Sequence, residues 1–157
     1  MRNHPILTLL ALGGATAAVA LLGTAASREH RRVWYRSLDK PRFTPPFWVF
    51  GAIWPALYGL MTASAWRVSQ TPPSRARTGA LASWAAQLAL NGAWSPLFFG
   101  GKRKRLALAD AAALVPAIGA YSLFAGKVDK PAAWMMLPYL GWSAFATALN
   151  AGINKKN

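Results

Sequence analysis

The sequence predicts an all-α membrane protein, a bundle of five transmembrane helices, and three observations carry that expectation. Of its 157 residues, 54% are hydrophobic and only 14% charged, whereas an ordinary soluble domain carries roughly 25% charged residues. The charges sit in short blocks between long apolar stretches, the layout of a multi-span membrane protein. Five stretches reach the ~20 residues a helix needs to cross the hydrocarbon. They fill nearly the whole chain, so one domain over residues 1–157 is expected.

The first stretch, 5–26, carries no charge. Met1-Arg2, the apolar run and Gly23-Thr24-Ala25-Ala26-Ser27 also fit a cleaved signal peptide, but the run exceeds the 7–15 residues usual for one. A retained helix is the preferred reading. A long loop, 27–45, leads to Pro45-Pro46, which suit the first turn of a second helix over 46–68. The third helix is expected over 79–99. The fourth, over 106–125, holds Asp110 one turn inside its start, where it is expected to snorkel or pair with Arg103 or Arg105. The fifth runs over 131–153. Pro55, Pro96, Pro116 and Pro138 each remove a backbone bond from a span and invite a kink. Ala85, Ala89 and Ala93 repeat every four residues, as do Gly13 with Ala17 and Gly14 with Ala18, a pattern of close helix packing. The alanine stripe suggests a homodimer contact.

Eighteen Lys and Arg stand against four Asp and Glu, a formal net charge of +14. A nucleic-acid binder would spread such charge along a solvated face, so no nucleic-acid partner is expected. Twelve basic residues fall in the first loop, the third loop and the C-terminal tail: Arg28, Arg31, Arg32, Arg36, Lys40, Arg42, Lys102, Arg103, Lys104, Arg105, Lys155 and Lys156. Six fall on the other side: Arg2, Arg67, Arg75, Arg77, Lys127 and Lys130. The positive-inside rule then puts the N-terminus out and the C-terminus in, in a bacterial cell membrane, inner or outer left open. Headgroup contact accounts for most of this charge; an anionic-ligand role for the first-loop arginines is the sharper alternative. With no cysteine and two histidines, neither a thiol nucleophile nor a metal site is expected.

Polar groups inside hydrocarbon usually face a bundle interior or a cavity. Gln87, Asn91 and Trp94 share one helical face, as do Tyr139, Trp142, Ala146 and Asn150, and Trp54, Tyr58 and Met61. At 1.5 Å per residue from the first-loop side, Trp54 and Asn91 lie about 12 Å deep and Trp142 about 16 Å. A cavity walled by flat rings and a few amides, suited to a flat conjugated ligand, is one explanation. Plain helix packing is the other, since interhelical amide bonds are common. Trp48, Trp66, Trp84 and Trp134, near span ends, read as an interfacial belt.

Four ordered segments carry a family resemblance: Trp34-Tyr35-Arg36-Ser37-Leu38-Asp39-Lys40-Pro41; Pro45-Pro46-Phe47-Trp48-Val49-Phe50 leading to Trp54 and Leu57-Tyr58; Leu90 to Gly100; and Leu137 to Ala146. With these the chain resembles the TspO/MBR family, the bacterial tryptophan-rich sensory proteins and the mitochondrial translocator protein. The resemblance implies a five-helix bundle whose cavity opens toward the first loop, with that loop as a partial lid. It implies porphyrin or haem and benzodiazepine-site ligands, and no obligatory cofactor. The family's pocket positions fall on Trp34, Tyr35, Trp54, Tyr58, Gln87, Asn91, Tyr139, Trp142 and Ala146, beside which Trp94 completes the face of the third helix. The cholesterol-recognition tyrosine of animal members is absent after Leu149-Asn150, so cholesterol transport is not implied.

Three functions remain in order of preference. The first is binding and sensing of a tetrapyrrole. The second, by the same resemblance, is light- and oxygen-dependent porphyrin degradation, with Trp54 and Trp142 taking radicals; no conventional catalytic set is present. The third is transport, disfavoured by the lack of internal repeats and intramembrane charges. A haem-iron role for His30 is a minor further reading.

Overall fold

The computed structural model describes residues 4–28 and 33–157, all helix, turn or loop. Five long helices occur in order: α1 (Pro5–Arg28), α3 (Phe47–Gln70), α4 (Arg75–Ser95), α5 (Lys104–Gly126) and α7 (Leu137–Lys156). Two short ones intervene, α2 (Trp34–Ser37) and α6 (Lys130–Met135), and a π-helical turn over Pro96–Gly100 extends α4. Of the long helices, α1, α3 and α5 are long and apolar enough to cross a membrane. The α4 and α7 sequences are diluted by polar residues that turn inward, among them Gln87, Asn91, Ser143 and Asn150, all buried.

Capping explains where these helices begin. Ser74 accepts from the Arg77 N–H, starting α4 four residues earlier than its apolar run. Asp129 accepts from the Ala132 N–H and, with Pro131 just inside, starts α6. The expected fifth helix is therefore two, broken at Met136. Pro138 consequently sits in the first turn of α7 rather than in its interior. Pro55 and Pro116 do lie inside α3 and α5, and Pro96 opens the π turn.

Two ends of the bundle are tied differently. At the end where α3 finishes, Arg67 grips Asp129 through Nε and Nη2, at 3.2 and 3.0 Å. Beneath it, Ser64 Oγ bonds Tyr121 Oη at 2.6 Å and donates to the Ala132 carbonyl. The core above is apolar, with Met61, Ala65, Val68, Ile118, Tyr121 and Met136 fully buried. Trp84 corrects the belt assignment. It is 5% exposed, and its indole N–H reaches the Met61 carbonyl across the helix interface. Trp48 and Trp134 remain outside, 71% and 67% exposed.

At the other end the first loop lies as a strap across α7. Leu38 is buried with Leu149 and Ile153, and the Asp39 backbone pairs both ways with the Asn157 amide. Lys156 donates to the Lys40 carbonyl. Gly152 is where the strap crosses: a Cβ there would collide with the ring of Pro41. Helix α1 lies on the outside, joined to α3 by the Thr62–Thr16 hydroxyl bond and close contact at Gly13. Ala85 and Ala89 of α4 are exposed and Ala93 is half-buried.

Gly152→Ala is expected to lift the strap and cost about 1–3 kcal/mol, because a proline ring cannot swing aside. Thermal unfolding in nanodiscs checks this. Gly119→Ala, where nothing lies within 4 Å of the added carbon, is expected to cause no loss.

Candidate functional site

At the centre of the bundle Asn91 of α4 bridges two phenols. Its Oδ1 accepts from Tyr58 Oη of α3 and its Nδ2 donates to Tyr139 Oη of α7, each at 2.9 Å. An amide has donors and acceptors on opposite corners, so one asparagine joins three helices. Trp54 packs on this network, with its ring centroid 5.4 Å from Tyr58 and 6.3 Å, edge-on, from Tyr139. These four residues form one cluster.

Trp34, Tyr35 and Trp94 belong to a second cluster nearer the strap. Trp94 stacks on Phe98 at 4.9 Å and 11°. Trp34 meets Phe98 edge-on, and Tyr35 meets both Phe98 and Phe99. The π turn makes this possible, since its wider winding re-aims Phe98 and Phe99 toward α2. Although Trp94 shares the inner side of α4 with Asn91, it is drawn into this second group. The two clusters meet where Phe50 contacts Trp142 at 5.5 Å, edge-on. Sequence reasoning missed Phe50, although its spacing of four from Trp54 places it on the same face. Phe43 of the strap, also missed, packs on Phe145, itself 5.4 Å from Trp142. Nothing in the sequence pairs those two.

Gln87 is fully buried, and neither amide atom has a protein partner. The Trp142 indole N–H is likewise buried and unpartnered. Ala146 is half-buried one turn beyond Trp142. Two grooves flank α3. One, about 400 Å³, runs between α3 and α7 and is lined by Ile53, Leu57, Leu60, Pro138, Trp142 and Phe145, among others. The other, about 360 Å³, runs between α1 and α3 and reaches Tyr58 past Gly13, Thr16, Ala17 and Thr62. Trp142 and Tyr58 thus border open grooves, whereas Asn91 and Tyr139 are packed behind them.

Asp110 departs from one of its two expected arrangements. It pairs with neither Arg103 nor Arg105; the ion pair found among the described residues is Arg67–Asp129. Arg105 lies about 140° around the helix from Asp110, Arg103 precedes the helix, and both are exposed. One carboxylate oxygen of Asp110 is buried without a partner. His30, Arg31 and Arg32 lie outside the described residues, so the haem-ligand reading of His30 has no structural counterpart here. Among the described residues no group of metal-binding side chains forms.

The rim of the second cluster is cationic. Lys40 Nζ sits 4.7 Å over the Tyr35 ring and Lys102 Nζ 6.0 Å over the Trp34 ring. Lys102 holds a left-handed backbone, φ 50°, which costs a side-chain-bearing residue about 1–2 kcal/mol. Burial pushes the Tyr35 phenol above its ordinary value of 10.0.

The TspO/MBR family pattern matches residues 9–155. The chain belongs to the TspO/MBR family. It is similar to the "Tryptophan-rich sensory protein" of Cereibacter sphaeroides, 43% identical over 74% of this chain and 72% of that one. It is similar as well to the "Tryptophan-rich protein TspO" of Archaeoglobus fulgidus, 37% identical over 94% and 95%. The human "Translocator protein" is 36% identical over 79% of this chain and 75% of its own length.

Two measurements check the site as built. Asn91→Ala removes the partner of the buried Tyr139 phenol and of the half-buried Tyr58 phenol, so it is expected to cost about 2 kcal/mol in unfolding. A double-mutant cycle with Tyr139→Phe should return a coupling of about 0.6–1.7 kcal/mol. Because the raised Tyr35 value belongs to the folded state, its contribution is complete below pH 10.0 and is lost as pH rises through the higher folded value. Above pH 10 wild type is expected to lose more stability than Tyr35→Phe.

Proposed function

We propose that this TspO/MBR protein is a multi-pass membrane receptor for a flat, conjugated ligand, a porphyrin or haem, held in the seam between α3 and α7 and acting in tetrapyrrole sensing or handling. Synthetic benzodiazepine-site ligands would use the same seam. All five long helices cross the bilayer in this reading, N-terminus out and C-terminus in. The length of α4 and α7 supports it, since 21 and 20 residues reach about 30 Å. Gln87 and Asn91 of α4 and Ser143 and Asn150 of α7 are buried in the bundle. The exposed Ala85 and Ala89 leave α4 a surface for a second copy of the chain.

The observation that carries the ligand proposal is the Trp142 indole. Its buried N–H has no protein acceptor, yet Trp142 lines the α3–α7 groove. Burying such a donor unsatisfied costs about 1–3 kcal/mol. A ligand acceptor would satisfy it once the Trp142 ring turns that N–H into the groove, with the macrocycle stacked on Phe145 and backed by Trp54 and the Tyr58–Asn91–Tyr139 network. A groove of about 400 Å³ falls within the usual range for small-molecule sites. The contiguous Trp54, Tyr58 and Tyr139 rings keep photo-oxidative porphyrin degradation as the second reading.

Protoporphyrin IX added to the protein in nanodiscs is expected to quench tryptophan fluorescence saturably. Trp142→Ala should abolish saturable binding, and Trp142→Phe, which keeps a ring but lacks the N–H, should weaken it about 3–10-fold. Unsaturable quenching in wild type would refute the receptor reading. Illumination under oxygen separates the second reading: conversion of the porphyrin spectrum only when Trp54 and Trp142 are intact would make the protein an enzyme.

A further inference from the structure

We propose that Asp110 is a proton-binding site within the membrane, served by a short file of buried water between α5 and α7. It lies on a different face of α7 from the α3–α7 groove and stands or falls independently of the ligand proposal.

Two bonds fix the register of these helices. Thr147 Oγ1 donates to the Ala111 carbonyl at 3.1 Å, and Asn154 Nδ2 donates to the Lys104 carbonyl at 3.0 Å. Both fit the same antiparallel alignment. At 1.5 Å per residue it sets Asp110 within about 2 Å of the level of Thr147 and about 3 Å from that of Asn150. Around α5, Asp110 is about 40° from Leu114 and about 60° from Ala107, both buried, so it sits at the edge of the inner face. On α7, Tyr139, Ser143, Thr147, Asn150 and Asn154 follow one another three or four residues apart and form one continuous polar face.

Three atoms at this interface are buried without a protein partner: Asp110 Oδ2, Asn150 Nδ2 and Ser143 Oγ. An acceptor and a donor thus share nearly one level yet do not bond each other. A hydroxyl able to do both lies two turns from Asn150. Water, at once donor and acceptor, bridges such a set where the protein groups do not reach one another. Asn150 Oδ1 accepts from Asn154, which carries the polar line on to the Lys104 carbonyl at the start of α5. At the inner end Tyr139 Oη accepts from Asn91 and keeps its own proton to donate, with Ser143 one turn along.

No cation among the described residues pairs with Asp110. The ionisable residues of α4, Arg75 and Arg77, stand at its far start, and the π turn has none. Asp129 and Lys130 of α6 are likewise at the far end. From α7 come the Tyr139 phenol and, in the last turn, the exposed Lys155 and Lys156. On α5 itself Lys104 donates to the Asn157 carbonyl, and Arg105 is exposed. An ionised carboxylate with no counter-charge is costly in hydrocarbon, and either a metal cation or a proton would cancel it. The free Asn150 N–H decides between them. It offers hydrogen to whatever sits beside Asp110, which suits a water or carboxyl oxygen and repels a metal ion. Asp110 therefore takes one proton from the water file to become a neutral carboxyl, and returns it to the same file on ionising.

The chain has four acidic side chains, Glu29, Asp39, Asp110 and Asp129, so a single carboxyl is readable by infrared difference spectroscopy. The full chain is placed in vesicles of ether-linked phosphatidylcholine, which has no ester carbonyl. It is taken from about pH 8 to about pH 5.5, where ordinary Asp and Glu, with values of about 3.9 and 4.3, stay ionised. One protonated-carboxyl band is expected to appear. Isotopic labelling of the aspartate carboxyls should shift it in wild type, and Asp110→Asn should abolish it. The band should be equal in sodium and choline salts. Transfer to heavy water should shift it as the proton exchanges, and Asn150→Leu, which interrupts the polar line, should slow that exchange severalfold. Absence of the band from wild type, a band that survives Asp110→Asn, or one that sodium suppresses overturns the proton site. An exchange rate untouched by Asn150→Leu overturns the water file.

Discussion

A bundle this poor in charge has few means of fixing how its helices face one another. The Asn91 carboxamide supplies the principal one. Dispersion between Leu, Ala and Val side chains is nearly indifferent to rotation about a helix axis, whereas a donor and an acceptor at 2.9 Å each are not. By holding Tyr58 and Tyr139 together, Asn91 sets the facing of α3 and α7 relative to α4. Trp54 then has one place to lie, against both phenols. The seam beside it follows, because α3 and α7 are joined through rings rather than interlocked small residues. In apolar surroundings such polar contacts are worth little individually; their directionality matters more than their strength.

The aromatic residues divide their work around this bridge. The inner group, Trp54, Tyr58 and Tyr139, is wedged in the core. The outer group, Trp34, Tyr35, Trp94, Phe98 and Phe99, fastens the short α2 helix to the π turn. Phe50 packs against the outer cluster and meets Trp142 edge-on, linking it to the side of α7 that faces the seam. A tryptophan-rich sequence thus builds a core wedge and a fastening for the strap from the same residue type.

Much of this was legible in the residues alone. The alternation of apolar stretches with basic blocks located α1, α3, α4 and α5, and ran α6 and α7 together as one span. Spacings of three and four put Asn91, Tyr139 and Trp54 on inward faces, because helical periodicity is a local property. What escaped was non-local or fine-grained. The split of the aromatics in two depends on the π turn after Ser95, where a change in winding re-aims Phe98 and Phe99. The break at Met136 follows from Asp129 capping a short helix, a signal overshadowed by continuous hydropathy. Trp84 sits near a span end by count, yet its neighbours across the bundle bury it. Asp110 has basic residues nearby in sequence, but the helix turns them away from it.

The grip of Arg67 on Asp129, with Ser64 and Tyr121 below it, gives the molecule a mechanical polarity. That end is bolted by directed bonds among α3, α5 and the start of α6. The opposite end is closed by a strap resting on a glycine and a handful of backbone contacts. A rod pinned at one end swings most at the other. Any parting of α3 from α7 therefore pivots about the bolted end and gapes widest beneath the strap, as a clothes peg opens at its jaws and not at its spring.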